Sequence, residues 1–325
     1  MSTLIFYSYT LSAQYGEDRR SEQSENYYHM RTPSFKSKIY RLVIRLAGIK
    51  TKIQKQFKLG DFSRAHQAAP IPAHVKKQCE VTYRVSATGR TVWELKKKGS
   101  TPKRYLFFIH GGGFVFNITK YDWTLLNKIA QHTDVGIVVP DYPLAPTNNF
   151  LDVFHTVVPE YAALVNSVGG ENVILAGFSA GGGIALSLAQ YAQKQQLQQP
   201  SQIILLSPLL DATLQHPEIQ QIDTYDPYID VKGMELAISA YAAGTSADDY
   251  RISPIYGPLE GLAPIHLFMG THEVLLPDAR KLTTIAREKR IPLTYYEYNQ
   301  MYHGWVFLNI AEAKDVFSKL INILG

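Results

Sequence analysis

The stretch from residue 173 to residue 183 constrains the fold of this chain most. Its residues are Val-Ile-Leu-Ala-Gly-Phe-Ser-Ala-Gly-Gly-Gly, so an apolar run ends in the pattern G-x-S-x-G and a helix-prone segment follows. Gly177 and Gly181 have no side chains, which allows a sharp turn between a strand and a helix. The pattern predicts that Ser179 stands on that turn as a nucleophile, at the positive end of the helix dipole. A glycine-rich connection without chemistry is the alternative.

Length and composition predict one large core with a smaller attached part. Of the 325 residues, 46% are hydrophobic and 19% are charged, and no apolar run is long enough to span a bilayer. Residues 1–15 lack a basic start, so we expect no signal peptide. The single cysteine, Cys79, cannot form an internal disulfide. We therefore expect a packed thiol and a location in the reducing cytoplasm.

The formal net charge of +5 originates near the N-terminus. No acidic residue lies between Glu25 and Asp61, and the rest of the chain is close to neutral. A basic face distributed over the body is absent, so we expect no nucleic-acid partner. The basic residues of this segment are Arg31, Lys36, Lys38, Arg41, Arg45, Lys50, Lys52, Lys55 and Lys58.

The same basic segment carries a helical apolar pattern. From Lys38 onward, apolar residues recur at positions 39, 42, 43, 46 and 49, which predicts an amphipathic helix. Such a helix lies either on the protein or on an anionic membrane surface. We favour packing on the protein and expect no stable membrane insertion. Residues 1–29 are polar and without period, and we expect them to be loosely ordered or to form an extension.

Strand-like and helical segments alternate through most of the chain. Residues 79–85 and 90–96 predict a hairpin at one edge of a sheet. Buried apolar strands that alternate with helices predict an α/β fold, in which a mostly parallel sheet has helices on both faces. The alternation stops between residues 209 and 250, which predicts an insertion over the C-terminal edge of the sheet. The further predicted strands are 105–109, 135–139, 173–176, 203–206, 265–269 and 293–298.

A glycine-rich loop follows the strand at 105–109. The residues are His110-Gly111-Gly112-Gly113-Phe114. Consecutive glycines let the backbone approach a ligand and turn its amides inward, as the stabilisation of a tetrahedral oxyanion requires. We predict an oxyanion hole from the amides of Gly111, Gly112 and Ala180. We expect His110 to brace the loop rather than to act as the base.

A serine nucleophile requires a histidine base, and the histidine requires a carboxylate partner. Glu273 lies in the loop directly after the strand at 265–269, whereas Asp278 follows Pro277 at the start of a helical pattern, where helix capping already explains an aspartate. We therefore predict Glu273 as the acid, with Asp278 as the alternative. His303 follows the last strand and precedes the last helix, and it is the predicted base. No metal-ligand pattern is present, so we expect no metal and no cofactor.

With these residues in place, the chain resembles the hormone-sensitive-lipase-like family of α/β-hydrolases, which includes bacterial carboxylesterases and acetyl esterases. The resemblance covers roughly residues 75–325. The departures are a glutamate as the triad acid, where the family usually has aspartate, and Pro143 where an arginine is typical. The shared motifs are HGGGF at 110–114, DYPLAP at 141–146, GFSAGGG at 177–183, Ser207-Pro208, Ser253-Pro254, the 270–278 segment and His303-Gly304.

The resemblance implies a helical cap built from residues 1–75 and from an insertion at about 209–250, over an α/β-hydrolase domain at 76–325. It implies a serine carboxylesterase for small, short-chain, acetyl-type esters. Phe114, Tyr225 and Tyr241 are the expected substrate contacts. A membrane-surface lipase and a ligand binder without turnover are the alternatives. Relatives of this kind self-associate, so a homodimer stays open beside a monomer, and the physiological ester stays open as well.

Overall fold

A computed structural model describes residues 26–325 together with the backbone of Arg19–Arg20. The predictions about a signal peptide and about most of an N-terminal extension fall on residues that lie outside the described range. The strands are β1 (Arg19–Arg20), β2 (Tyr27–His29), β3 (Cys79–Val85), β4 (Thr91–Lys97), β5 (Arg104–Ile109), β6 (Val135–Pro140), β7 (Val173–Phe178), β8 (Gln202–Leu206), β9 (Ile265–Gly270) and β10 (Leu293–Tyr298).

From β5 onward one α-helix follows each strand, except that two α-helices lie between β8 and β9, where the alternation was expected to stop. Their bounds are α1 (Phe35–Leu46), α2 (Lys52–Leu59), α3 (Ala73–Gln78), α4 (Lys120–His132), α5 (Phe150–Val168), α6 (Ala180–Lys194), α7 (Ile219–Asp223), α8 (Val231–Ala242), α9 (Leu276–Glu288) and α10 (Ala311–Leu324). Within residues 26–325, none of these helices combines the length and the apolar character that crossing a membrane requires.

The described strands form one sheet in the order β1-β2-β10-β9-β8-β7-β5-β6-β4-β3. The neighbours from β2 to β6 in this order are parallel, while β1, β3 and β4 pair antiparallel with their neighbours. The predicted hairpin at 79–96 is confirmed, and β3 is the edge strand. The carboxyl ends of β5, β7, β9 and β10 therefore meet at one edge, which is where an open parallel sheet places its ligands.

The core lies on both faces of the sheet. In β5, Phe107 and Ile109 belong to one buried cluster, while Leu106 and Phe108 belong to the other. This alternation explains why the central strands are continuous apolar runs, since each face is covered by helices. The predicted α/β-hydrolase fold class is confirmed.

A short strand near the N-terminus corrects the expectation of a loose segment up to residue 29. Tyr27–His29 pairs in parallel with β10, with Tyr27 opposite Tyr296 and His29 opposite Tyr298. The His29 ring is buried and stacks on the Tyr298 ring at 5.1 Å. Pairing with this segment satisfies the backbone groups of β10, whose edge is otherwise open.

The predicted amphipathic helix exists, but its apolar side faces solvent. Helix α1 begins after Ser34, whose hydroxyl accepts a hydrogen bond from the Ser37 amide at 3.3 Å. Ser37 is buried, whereas Ile39, Leu42, Val43 and Leu46 are exposed. The spacing of the apolar residues correctly indicated one apolar face, because such a face depends only on the helical period of about 3.6 residues. The prediction that this face packs on the protein is wrong, since polar and backbone contacts hold the helix instead.

Basic side chains hold the N-terminal helices against the 209–250 segment. Arg41 and Arg45 donate to the backbone carbonyls of Tyr225 and Thr224 at 3.2 and 3.0 Å. Lys50 Nζ lies 3.0 Å from a carboxylate oxygen of Asp223. Lys50 Nζ also donates to the Asp226 carbonyl at 3.0 Å, so guanidinium and ammonium groups satisfy backbone carbonyls at the connection between α7 and α8. The predicted domain bounds stay a prediction, but these two parts of the chain are in direct contact.

Candidate active site

Ser179 lies on a strained turn between β7 and α6. Its φ and ψ are 55° and −123°, a conformation that costs energy for any residue with a side chain. A Cβ at position 177 would lie 2.1 Å from the carbonyl oxygen of Gly181. One at position 181 would lie 2.2 Å from the carbonyl oxygens of both Ile109 and His110. The two glycines are therefore required by backbone contacts, and they bring the end of β5 against the turn.

Three side chains from separate loops form a continuous hydrogen-bonded line. Ser179 Oγ lies 2.9 Å from His303 Nε2, and His303 Nδ1 lies 2.9 Å from Glu273 Oε2. All three side chains are buried. In this arrangement the Ser179 hydroxyl donates to Nε2 and the Nδ1–H donates to the carboxylate, which fixes the imidazole tautomer. The structure thus brings the three predicted triad residues together.

The carboxylate of Glu273 is held by further donors. Its Oε1 accepts hydrogen bonds from the Gly270 amide at 2.7 Å, from Ser207 Oγ at 2.9 Å and from Trp305 Nε1 at 3.2 Å. These donors stabilise the negative charge and leave Oε2 to His303. Ser207 and Trp305 were not predicted as site residues, although both stand in or beside motifs of the sequence.

Asp278 stands apart from this line. It lies in the first turn of α9, is buried, and has no hydrogen-bond partner at Oδ2 within the described chain. Burial, reinforced by the nearby Asp211, raises the pKa of the Asp278 carboxyl to about 7. Its place in the first turn of α9 agrees with the position expected of a dipole partner, whereas no hydrogen bond joins its side chain to a helix amide among the described residues. Glu273 is the acid that contacts the histidine.

The glycine loop after β5 has the backbone conformations that its sequence suggests. Gly112 has a φ of 116°, and a Cβ there would lie 2.1 Å from the carbonyl oxygen of Phe116. The amide groups of Gly111, Gly112 and Ala180 have no hydrogen-bond acceptor within the described part of the chain. A Cβ on Gly181 would meet the carbonyl oxygens of Ile109 and His110, so the loop that carries the Gly111 and Gly112 amides begins close to the turn of Ser179 and Ala180. Such donors suit a developing oxyanion.

His110 braces the glycine loop of residues 111–113. Its Nδ1–H donates to the Gly111 carbonyl at 2.7 Å, and its ring stacks on Tyr142 at 4.3 Å. The Tyr142 hydroxyl donates to the His110 carbonyl at 2.9 Å. Burial lowers the pKa of His110, so its ring is neutral at pH 7. Its contacts agree with the brace predicted from the sequence.

The expected substrate contacts occupy different surroundings. Phe114 and Tyr241 are both buried and stack on each other at 3.8 Å. Tyr225 is partly exposed and stacks on His272 at 5.1 Å. Another tyrosine of this segment, Tyr228, has its ring 5.9 Å from the His303 ring. Roles in substrate binding stay predictions for Phe114, Tyr225 and Tyr241.

Asp226 is a buried carboxylate beside the triad that the sequence analysis did not single out. Its Oδ1 accepts hydrogen bonds from the Tyr228 and Ile229 amides at 2.9 and 3.2 Å, and its Oδ2 accepts from the Val274 amide at 3.2 Å. Burial raises its pKa to about 6, while His303 opposes this shift. A local Asp-Pro turn signal was present in the sequence, but nothing local indicated a contact 48 residues away.

No cluster of three or more histidine, cysteine, aspartate or glutamate residues suits a metal ion among residues 26–325. The arrangement instead supplies a hydroxyl nucleophile, a base that contacts it, and amides for an oxyanion. These are the parts of acyl transfer through a covalent intermediate.

A family model described as alpha/beta hydrolase fold matches residues 106–307, which include Ser179, Glu273 and His303. The chain belongs to the α/β-hydrolase family. An esterase of Acinetobacter venetianus is 27% identical to this α/β-hydrolase over 231 residues, covering 70% of this chain and 76% of the relative. An acetyl-hydrolase of Streptomyces hygroscopicus is 25% identical over 222 residues, covering 68% and 74%.

Solved structures share the fold of this α/β-hydrolase. A hormone-sensitive lipase from a metagenome library has a TM-score of 0.76 and 22% identity, with 89% of this chain and 97% of that chain covered. The predicted resemblance to α/β-hydrolases is confirmed by the family model and the esterase relative, and the hormone-sensitive lipase shares the fold. The predicted enzyme class, a carboxylic ester hydrolase, is also confirmed by the family and by the names of its relatives.

Proposed function

We propose that this chain is a serine carboxylesterase that hydrolyses small, short-chain esters through Ser179, His303 and Glu273. The proposal depends on one observation, the unbroken line of 2.9 Å contacts from Ser179 Oγ through the His303 ring to Glu273 Oε2. A hydroxyl that donates to a neutral imidazole can lose its proton as it attacks a carbonyl carbon.

In the acylation half, Ser179 Oγ bonds to the ester carbonyl carbon and His303 Nε2 takes the hydroxyl proton. The carbonyl oxygen becomes an oxyanion, to which the amides of Gly111, Gly112 and Ala180 donate hydrogen bonds. The tetrahedral intermediate collapses, the bond to the alcohol oxygen breaks, and His303 returns the proton to the leaving alcohol. Glu273 balances the charge of the imidazolium in both steps.

In the deacylation half, water attacks the acyl group on Ser179 with His303 again as the base. The oxyanion forms in the same place, so the same amides act twice. The bond to Ser179 Oγ then breaks and the proton returns to the serine. The products are a carboxylic acid, an alcohol and the free enzyme.

Small acyl groups are the substrates we propose. The acetyl-hydrolase relative supports this choice by its name. The buried stack of Phe114 on Tyr241 supports it as well, because Phe114 directly follows Gly111–Gly113 and two packed aromatic rings there leave little room for a long acyl chain. The intact triad speaks against the alternative of a ligand binder without turnover. A cytoplasmic location, a homodimer and the lack of a nucleic-acid partner stay predictions.

The test measures hydrolysis of p-nitrophenyl esters from acetate to palmitate. We expect kcat/KM to be highest for acetate and butyrate and to fall for longer chains. Ser179→Ala should lose at least about 10⁴-fold in kcat on the best ester, as removal of a triad serine does elsewhere. Ser318→Ala, which changes an exposed serine on α10, serves as the control. Turnover that survives in Ser179→Ala would refute the mechanism, and a maximum at long chains would refute the substrate class.

A further inference from the structure

Helix α1 has an exposed apolar stripe along its full length. The members are Phe35, Ile39, Leu42, Val43 and Leu46, with exposed fractions of 77, 46, 58, 54 and 79%. At 3.6 residues per turn these positions share a sector of about 100° of the helix surface. A continuous exposed apolar face on a folded protein marks a surface for a partner or a membrane.

Basic side chains border the stripe on both sides. On the helix, Lys36 lies at one border, and Lys38 and Arg45 lie at the other. No acidic residue occurs between residues 25 and 61, so nothing negative accompanies them in the sequence. Apolar residues on one face with cations at its borders are typical of helices that lie in the plane of an anionic lipid surface, where the long basic side chains reach the headgroups.

The opposite side of α1 is fixed to the enzyme beside its active site. The Tyr302 hydroxyl donates to the Ser37 carbonyl at 3.2 Å, and Tyr302 is the neighbour of His303. Arg41 and Arg45 donate to carbonyls at residues 224 and 225, beside Asp226. The stripe therefore lies about one helix diameter, roughly 10 Å, from the loop that carries the histidine.

We propose that the exposed face of α1 docks this enzyme on anionic phospholipid surfaces. The charge of the segment selects an anionic surface over a neutral one, and the apolar stripe adds contact with the upper acyl region. A docked α1 brings the loops of Tyr225 and His303 to within about one helix diameter of the lipid, so that esters dissolved in the membrane surface are supplied close to the site of Ser179. This inference adds a location of action to the esterase, and the binding itself needs no turnover.

The test uses the full chain with Ser179→Ala, which keeps vesicle lipids intact and makes binding independent of catalysis. Flotation is compared on vesicles of phosphatidylcholine and on vesicles that also contain phosphatidylglycerol. We expect binding to the anionic vesicles, weaker binding to the neutral ones, and release as salt is raised. Lys36→Gln with Lys38→Gln should weaken binding by about thirtyfold. Lys76→Gln with Lys77→Gln, two exposed lysines on α3, should leave it unchanged.

A second pair of variants tests the stripe itself. Leu42→Ser with Leu46→Ser should abolish flotation, while Tyr83→Ser with Val85→Ser should not, although these β3 side chains are 74 and 66% exposed. The two double variants are also prepared with Ser179 in place. Both should then hydrolyse p-nitrophenyl acetate at the wild-type rate, and this rate is the control for correct folding. No binding by the parent chain, or equal binding by the Leu42 and Leu46 variant, would overturn the proposal. Analytical ultracentrifugation without vesicles gives one more test. If the parent chain is a dimer and the Leu42 and Leu46 variant is a monomer, a second copy of the chain covers the stripe and the proposal is overturned.

Discussion

The carboxylate of Asp226 accepts a hydrogen bond from the backbone amide of Val274 at 3.2 Å. Val274 follows Glu273, so this contact connects the 209–250 segment to the loop that carries the carboxylate hydrogen-bonded to His303. From the other side, Arg41 holds the carbonyl of residue 225. The segment therefore lies between the N-terminal helix and the acid loop, and its position bears directly on the geometry of the triad.

Replacement of Asp226 by asparagine should reduce turnover. Asparagine keeps an oxygen for the Tyr228 and Ile229 amides but presents an NH₂ group to the Val274 amide. The acid loop then shifts, and we expect kcat for p-nitrophenyl acetate to fall by about 10- to 100-fold with a smaller change in KM. Asp223→Asn, which changes a carboxylate that faces Lys50 instead, is the control and should stay within about twofold. Equal kcat values for the two variants would contradict the positioning role.

Glu273→Gln should cost far more activity than Asp278→Asn. Glutamine at 273 cannot accept the Nδ1–H of His303 with a full negative charge, so we expect a loss of about 10³- to 10⁴-fold in kcat. Asp278 makes no contact with His303, and its replacement should cost less than about tenfold. The measurement is the kcat of both variants for p-nitrophenyl acetate at pH 8. The reverse order of losses would transfer the acid role to Asp278.

Gly112→Ala should disable the oxyanion loop. A methyl group at this position meets the Phe116 carbonyl at 2.1 Å, and the backbone has a φ of 116°. The loop must move, and we expect kcat to fall by about 10²- to 10³-fold, the usual cost of a lost oxyanion donor. Gly89→Ala is the matched control, because Gly89 also has a positive φ, of 76°, but has open space around its Cβ. Comparable losses in both variants would show that backbone strain alone is responsible.

Asp278 should make the folded chain less stable as pH rises. Its pKa is about 7 in the folded state against 3.8 for an ordinary aspartate, so the folded chain keeps a proton that the unfolded chain releases between these values. The protonated Asp278 carboxyl makes its full contribution to the free energy of unfolding below about pH 4, and this contribution is lost as pH rises through about 7. Asp278→Asn mimics the protonated acid. Its unfolding free energy should exceed that of the wild type at both pH values, and the excess should be about 2–3 kcal/mol larger at pH 8 than at pH 5.

Urea unfolding at the two pH values measures this difference. Asp134→Asn, at an exposed position, is the control and should show no such dependence. The unfolding free energies of the wild type and Asp278→Asn are compared at each pH. An equal difference at both pH values would mean that the Asp278 carboxyl is not protonated in the folded state.

Local patterns predicted the features that depend on local chemistry. The strand at 293–298 was placed with its observed bounds, and the turn at Ser179 was placed between its strand and helix, because apolar runs and glycine positions act within a few residues. The meeting of Ser179, Glu273 and His303 was predicted because each residue lies in a loop that follows a parallel strand. These loops meet at one edge of the sheet whatever the details of packing.

Features that depend on distant partners could not be predicted. Tyr27–His29 is too short to carry a strand signal, and its conformation comes from pairing with β10. The period of α1 indicated an apolar face but not the direction in which the face points. The donors from Ser207 and Trp305 to Glu273 reach across 66 and 32 residues, and no local signal marks such contacts.

Covalent labelling with a fluorophosphonate tests the central claim most directly. The reagent reacts with a serine hydroxyl only where a base removes its proton, so peptide mass spectrometry identifies the activated residue. The account predicts one adduct, on Ser179, that is absent from Ser179→Ala and is formed at least about 10³-fold more slowly in His303→Ala. An adduct on another serine, or unchanged labelling of Ser179 in His303→Ala, would contradict it.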